Sequence, residues 1–175
     1  MNTVIKIAPV RKAVVVAATA QRAFEVFTTG IDRWWPKSHG IGSAPVIESV
    51  IEPFVGGRWY SKHADGTQAV IGHVLLWKPA ERFVCSWEIS ADWKPESRAA
   101  FASEIEVRFI SEAAGTTRVE VEHRNFERMG SAPGEKMRKD VDGGWPALME
   151  LFAKAAVEAA GAPHPRHGSR RFPLV

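Results

Sequence analysis

Apolar and polar residues alternate with a period of two through most of the middle of this chain, and switch to a helical spacing near both ends. Val10 to Ala17 is a β-branched run that predicts a strand. Thr19 is placed to cap a following helix, whose apolar face is Ala23, Phe24 and Phe27 and which runs to about Thr28. Gly30 ends it. Ile31-Asp32-Arg33-Trp34-Trp35 predicts one more helical turn, closed by Pro36 because the residue before a proline avoids the α region. Ser38-His39-Gly40-Ile41-Gly42 is then a glycine-flanked loop.

Strands are expected at Val46–Pro53, Arg58–His63, Gln68–Trp77, Arg82–Ser90, Phe101–Ile110 and Thr117–Asn125, separated by Gly- and Asp-containing turns. Phe83, Cys85, Trp87 and Ile89 share one face; Phe101, Ile105, Val107 and Phe109 share another, opposite Glu104, Glu106 and Arg108. Val119, Val121 and His123 stand together, opposite Glu120, Glu122 and Arg124. Short turns and one polar face argue for an antiparallel meander that is wet on one side. Its dry face needs a cover. The long helical pattern is Glu135–Ala160, where Met137, Val141, Trp145, Leu148, Phe152 and Ala155 recur at steps of three and four. Pro146 within Gly143-Gly144-Trp145-Pro146 predicts a kink or a fresh helix start. The expected class is α+β: a curved antiparallel sheet of six to seven strands around a long C-terminal helix, with two short helices after the first strand. A sheet curling round a helix leaves a natural pocket for a small apolar molecule.

Charge changes less than it first suggests. The 175 residues carry 23 Lys+Arg and 20 Asp+Glu, net +3, with a pI near 9.2. Residues 162–175 hold Arg166, Arg170 and Arg171 and no acid, so 1–161 is balanced at 20 basic and 20 acidic side chains. The expected organisation is one domain over 1–161 and a basic, Pro-containing tail over 162–175. A nucleic-acid groove is not expected, because three tail charges release too few counterions. No apolar run reaches the roughly 20 residues of a membrane span. The apolar run Ala13–Ala18 is too short for a signal peptide, and a single Cys85 fits a reducing compartment, so a cytoplasmic protein is expected.

Chemistry-bearing patterns are sparse. There is no phosphate loop, dinucleotide fingerprint, nucleophile elbow or zinc-protease motif. Cys85, between Phe83 and Trp87, reads as buried packing. The six histidines show no metal-ligand spacing, and neither a metal nor a cofactor is expected.

Several segments together resemble a known family: Ala23-Phe24-Glu25-Val26-Phe27, Trp34-Trp35-Pro36, Ser38-His39-Gly40-Ile41-Gly42, Glu52-Pro53 with Gly56-Gly57-Arg58, Ala64-Asp65-Gly66-Thr67, Gly72 with Val74 and Trp77, Glu122-His123-Arg124 and Gly143-Gly144-Trp145-Pro146. In order and spacing the chain resembles the bacterial single-domain proteins related to the activator of the 90-kilodalton heat-shock protein ATPase. These belong to the START-like, Bet v 1-like helix-grip superfamily (SRPBCC). The resemblance implies the helix-grip fold and leaves activity open, since this scaffold hosts many functions. A chaperone partner is what the family's name suggests.

Seven tryptophans are a surplus that suits a lined pocket. The expected function is binding of a small hydrophobic or amphipathic ligand between sheet and C-terminal helix. Alternatives are a cyclase- or hydrolase-like enzyme using His123 and His73 in the same cavity, or a chaperone-regulating interaction module. The candidate cavity residues are Trp34, Trp35, His39, Trp59, Trp87, Val107, Phe109, Val121, His123, Trp145 and Met149. Two readings stay open for most of them. Trp34 and Trp35 gate the mouth or anchor their helix, His39 meets ligand or closes a turn, and His123 orients a ligand or makes a structural hydrogen bond.

Overall fold

The computed structural model describes residues 6–160; the basic tail expected over 162–175 lies outside them. The chain runs through strand β1 (Val10–Val16), helix α1 (Ala20–Phe27), β2 (Val46–Ile51), β3 (Arg58–His63), β4 (Gln68–Lys78), β5 (Arg82–Trp87), β6 (Ser103–Ala113), β7 (Thr116–Arg124) and helix α2 (Ser131–Ala160). Three 3-10 turns, Ile31–Arg33, Ala99–Phe101 and Phe126–Met129, join these elements. The seven strands form one antiparallel sheet in the order β1-β7-β6-β5-β4-β3-β2. This is the helix-grip arrangement.

Period-two patterning sets the register. Along β7, Thr117, Val119, Val121 and His123 are buried and their neighbours are half-buried. Val107 lies opposite Phe83 on one side and Val121 on the other, so the inner face is continuous from β5 to β7. On the outer face Glu106 is buried among Arg82, Arg108 and Arg124. Burial alone would raise its pKa, but hydrogen bonds from Arg124, Arg108 and Arg82 outweigh that and hold the carboxylate at about 2. Strands β4 and β5 lie close together at Gly72, where an added Cβ would sit 1.8 Å from the Ser86 carbonyl oxygen.

Four expectations are corrected. Helix α2 begins at Ser131 rather than Glu135, and of the kink or fresh start expected at Pro146 the fresh start is absent, the helix being continuous through it. Pro146 is exposed, while Met137, Val141, Trp145, Leu148 and Phe152 stay buried on both sides of it. Packing of that stripe outweighs the loss of one backbone hydrogen bond, a cost of roughly 3 kcal/mol. Phe101 is not in a strand but ends a 3-10 turn, 37% exposed. β5 stops at Trp87; Ile89 pairs with Pro95 in an isolated bridge instead. β2 stops at Ile51, short of Pro53.

Helix α1 follows its cap as expected, with Thr19 Oγ1 accepting from the Arg22 amide at 3.1 Å. Phe27 meets Phe152 of α2 edge to face at 5.0 Å between ring centroids, so α1 and α2 share one core. Cys85 is fully buried in that core, and burial pushes its thiol pKa far up.

Candidate functional site

A cavity of about 390 Å³ lies between the sheet and the middle of α2. Its floor is apolar and buried: Trp35, Ile71 on β4, Trp87 on β5, Ile89, and Val141, Trp145 and Leu148 on α2. Its rim is more exposed. Ser38, His39 and Gly40 stand on one side with Ile41, and Trp93, Asp140 and Gly144 complete the ring.

Each wall has a local cause. Trp35 closes the helical turn after α1, its amide bonded to the Ile31 carbonyl at 2.9 Å. The loop after it is tied down by His63 on β3. Nδ1–H of His63 donates to the Ala44 carbonyl at 2.8 Å, and Ser61 Oγ–H donates to Nε2 at 2.8 Å. Only glycine fits against this anchor: a Cβ on Gly42 would come within 2.7 Å of the His63 ring. On α2, Val141, Trp145 and Leu148 project along one face at helical spacing.

A tryptophan cluster builds and backs the floor. Trp35 meets Trp59 at 4.9 Å, nearly perpendicular, and Trp59 meets Trp87 at 5.7 Å. Trp145 stands 6.3 Å from Trp35. Buried indole N–H groups usually find an acceptor. Those of Trp35, Trp59 and Trp87 find none among the described residues.

Of the eleven sequence-stated candidates, the structure brings four to the cavity: Trp35, His39, Trp87 and Trp145. Trp34 is an anchor instead. Its indole N–H donates to the Val26 carbonyl at 2.9 Å and its ring packs on Phe27 and Phe152. Trp59 stands behind the wall formed by Trp35 and Trp87, and Val107, Phe109, Val121 and Met149 are buried in the core away from the cavity.

His123 is fully buried and does not reach the cavity. Trp145 Nε1–H donates to its Nδ1 at 3.2 Å. The remaining proton is therefore on Nε2, which donates to Ser103 Oγ at 3.0 Å. Burial pushes its pKa down to about 3. Both nitrogens are engaged within the protein, so the imidazole is a structural link between β7, β6 and α2. His73 bonds Glu88 at 2.6 Å and is likewise absent from the cavity wall. The acid–base groups that do line the cavity are His39, whose pKa partial burial lowers, and Asp140. No group of three metal-ligating side chains gathers among the described residues.

Ile41, Ile71, Ile89, Trp93, Asp140, Val141, Gly144 and Leu148 were not among the candidates yet line the cavity. The helical spacing already carried Val141 and Leu148 to the inner face. Trp93 had no such signal, because it sits in a polar loop whose fold depends on α2.

Comparison with known proteins agrees with the architecture. The chain belongs to the family of activator of Hsp90 ATPase homolog 1-like proteins, whose family model matches residues 17–156. No curated protein matches it. Among solved structures, an anthrahydroquino-gamma-pyrone synthase, Txn09, complexed with SUM, is 40% identical, with TM-score 0.61 over 86% of this chain and 97% of that one. CalC from Micromonospora echinospora, a self-sacrificing resistance protein, is 28% identical, with TM-score 0.62 over 89% of this chain and 97% of that one. CalU16 from the same organism is 20% identical, with TM-score 0.56 over 89% and 77%, a likeness of fold. Among the described residues no helix is long and apolar enough to cross a membrane.

Proposed function

We propose that this chain binds a small hydrophobic or amphipathic molecule in the cavity between the sheet and α2. The observation that carries this reading is the division of the cavity into a buried floor of tryptophan, isoleucine, valine and leucine and a rim of Ser38, His39, Trp93 and Asp140. A volume of about 390 Å³ is within the range of small-molecule sites, roughly 300–1,000 Å³. An amphipathic ligand would bury its apolar body on the floor and keep its polar edge at the rim.

Native mass spectrometry of the protein purified from its own host is expected to show one retained small molecule. Isothermal titration with anthracene-2-carboxylate and adamantane-1-carboxylate is expected to give one saturable site. No retained molecule together with no binding of either probe would overturn the proposal.

A second reading is favoured by the 40% identical synthase: ring closure on a bound polycyclic substrate, with His39 as the proton-transferring group at the rim. Conversion of that synthase's substrate by this chain, lost in His39→Gln, would carry it. Binding without conversion would refute it and leave the binding proposal standing.

A further inference from the structure

The segment from Glu88 to Glu96 folds back on itself and carries Trp93 near its tip. Ile89 pairs with Pro95, the Ser90 amide donates to the Lys94 carbonyl at 2.8 Å, and the Trp93 amide donates to the Ser90 carbonyl at 2.8 Å. Trp93 itself has φ +60°, in the left-handed region that bulky residues rarely occupy. Such a conformation persists only where surrounding contacts over-determine it.

Those contacts come from α2. The Trp93 indole N–H donates to Asp140 Oδ2 at 2.9 Å. Lys136 Nζ donates to the same oxygen at 2.9 Å and to the Ala91 carbonyl at 2.6 Å. Hydrogen bonds from Lys136 and Trp93 also keep the Asp140 carboxyl below the usual carboxylate range, so it stays an acceptor at neutral pH. The ring meets Trp87 edge to face at 6.1 Å. A large indole thus stays 37% exposed at the mouth of an aromatic cavity, held there by its backbone and by a shared carboxylate.

We propose that Trp93 is the wall that selects flat aromatic ligands for this cavity, and that Asp140 and Lys136 are positioning residues that hold its ring at the rim. The assignment rests on the cavity being a ligand site. A flat ring system can lie against an indole face and gain stacking beyond its buried area, which a rounded aliphatic cage cannot do. A rim residue that chose only by size would not need its ring orientation fixed by a hydrogen bond at Nε1.

The test compares anthracene-2-carboxylate with adamantane-1-carboxylate, which share a charge but differ in flatness, by isothermal titration. Trp93→Ala is expected to weaken the anthracene probe roughly tenfold and the adamantane probe less than threefold. Asp140→Ala should erode the same preference, whereas Asp140→Asn, which keeps an acceptor for the indole, should retain most of it. Trp93→Phe keeps a ring without the tether and should fall between. Equal weakening of both probes in Trp93→Ala, or no change in either, overturns the assignment. So does an identical result for Asp140→Ala and Asp140→Asn. Failure of the unaltered protein to bind either probe overturns this assignment; if no molecule is retained from the host as well, the ligand-site reading falls with it. Hydrogen exchange gives a check without ligand: amides of residues 88–96 should lose protection about tenfold in Asp140→Ala but not in Asp140→Asn, and unchanged protection would overturn the positioning role.

Discussion

His123 shows how tertiary context decides what a single side chain can do. The imidazole ordinarily titrates near 6.5, but burial places its folded-state pKa at about 3. The unfolded chain therefore takes up a proton, as pH falls below 6.5, that the folded chain refuses. The sign follows: the full contribution to stability is present above pH 6.5 and is lost progressively as pH drops toward 3. The slope is at most about 1.4 kcal/mol per pH unit. Urea midpoints measured from pH 7.5 to 5, above the carboxylate range, are expected to decline in the unaltered protein. In His123→Gln, whose amide can still donate to Ser103 and accept from Trp145, the decline should be much flatter. An equal slope in both proteins would show that other groups carry the pH dependence. The sequence placed His123 on the inner face through its alternation with Val119 and Val121, and that was correct. It could not say that Ser103 and Trp145 would occupy both nitrogens, because those partners lie 20 and 22 residues away.

Elements are governed by a balance between local propensity and packing. In α2, Gly143 and Pro146 oppose the helix, and the buried stripe overrides them. That leaves avoidable instability on the solvent side. A Cβ at Gly143 would meet nothing within 4 Å, so Gly143→Ala should stabilise the protein by about 1 kcal/mol and raise the thermal midpoint. Gly72 on β4 is the opposite case. Its missing Cβ admits the Ser86 carbonyl, so Gly72→Ala must push β4 and β5 apart. A lowered thermal midpoint is expected there, and a midpoint unchanged within error would contradict the close approach. The two glycines look alike in the chain; only the neighbouring strand distinguishes them.

At the scale of the molecule, the cavity exists because sheet and helix meet incompletely around Trp35, Ile71, Trp87 and Trp145. Gly144 lines it from α2 and an added Cβ there meets no atom within 4 Å. Gly144→Leu should therefore project into the space and reduce probe affinity at least tenfold, with the thermal midpoint maintained or raised. Unaltered probe binding in that variant would place the ligand elsewhere. What the sequence determined by itself was the alternation that makes the meander, the capped helix after β1, the apolar stripe of α2 and the surplus of tryptophan. These are local properties, fixed by periods of two and 3.6 and by side-chain size. Tertiary structure alone decided which aromatic residues are wall and which are core. Trp34 and Trp35 are adjacent, yet one bonds the Val26 carbonyl and the other faces the cavity. It also brought Trp93 under Asp140, 47 residues away, and gave His123 its two partners. Those outcomes depend on how a curved sheet closes against a helix, and no periodicity along the chain encodes the distance between them.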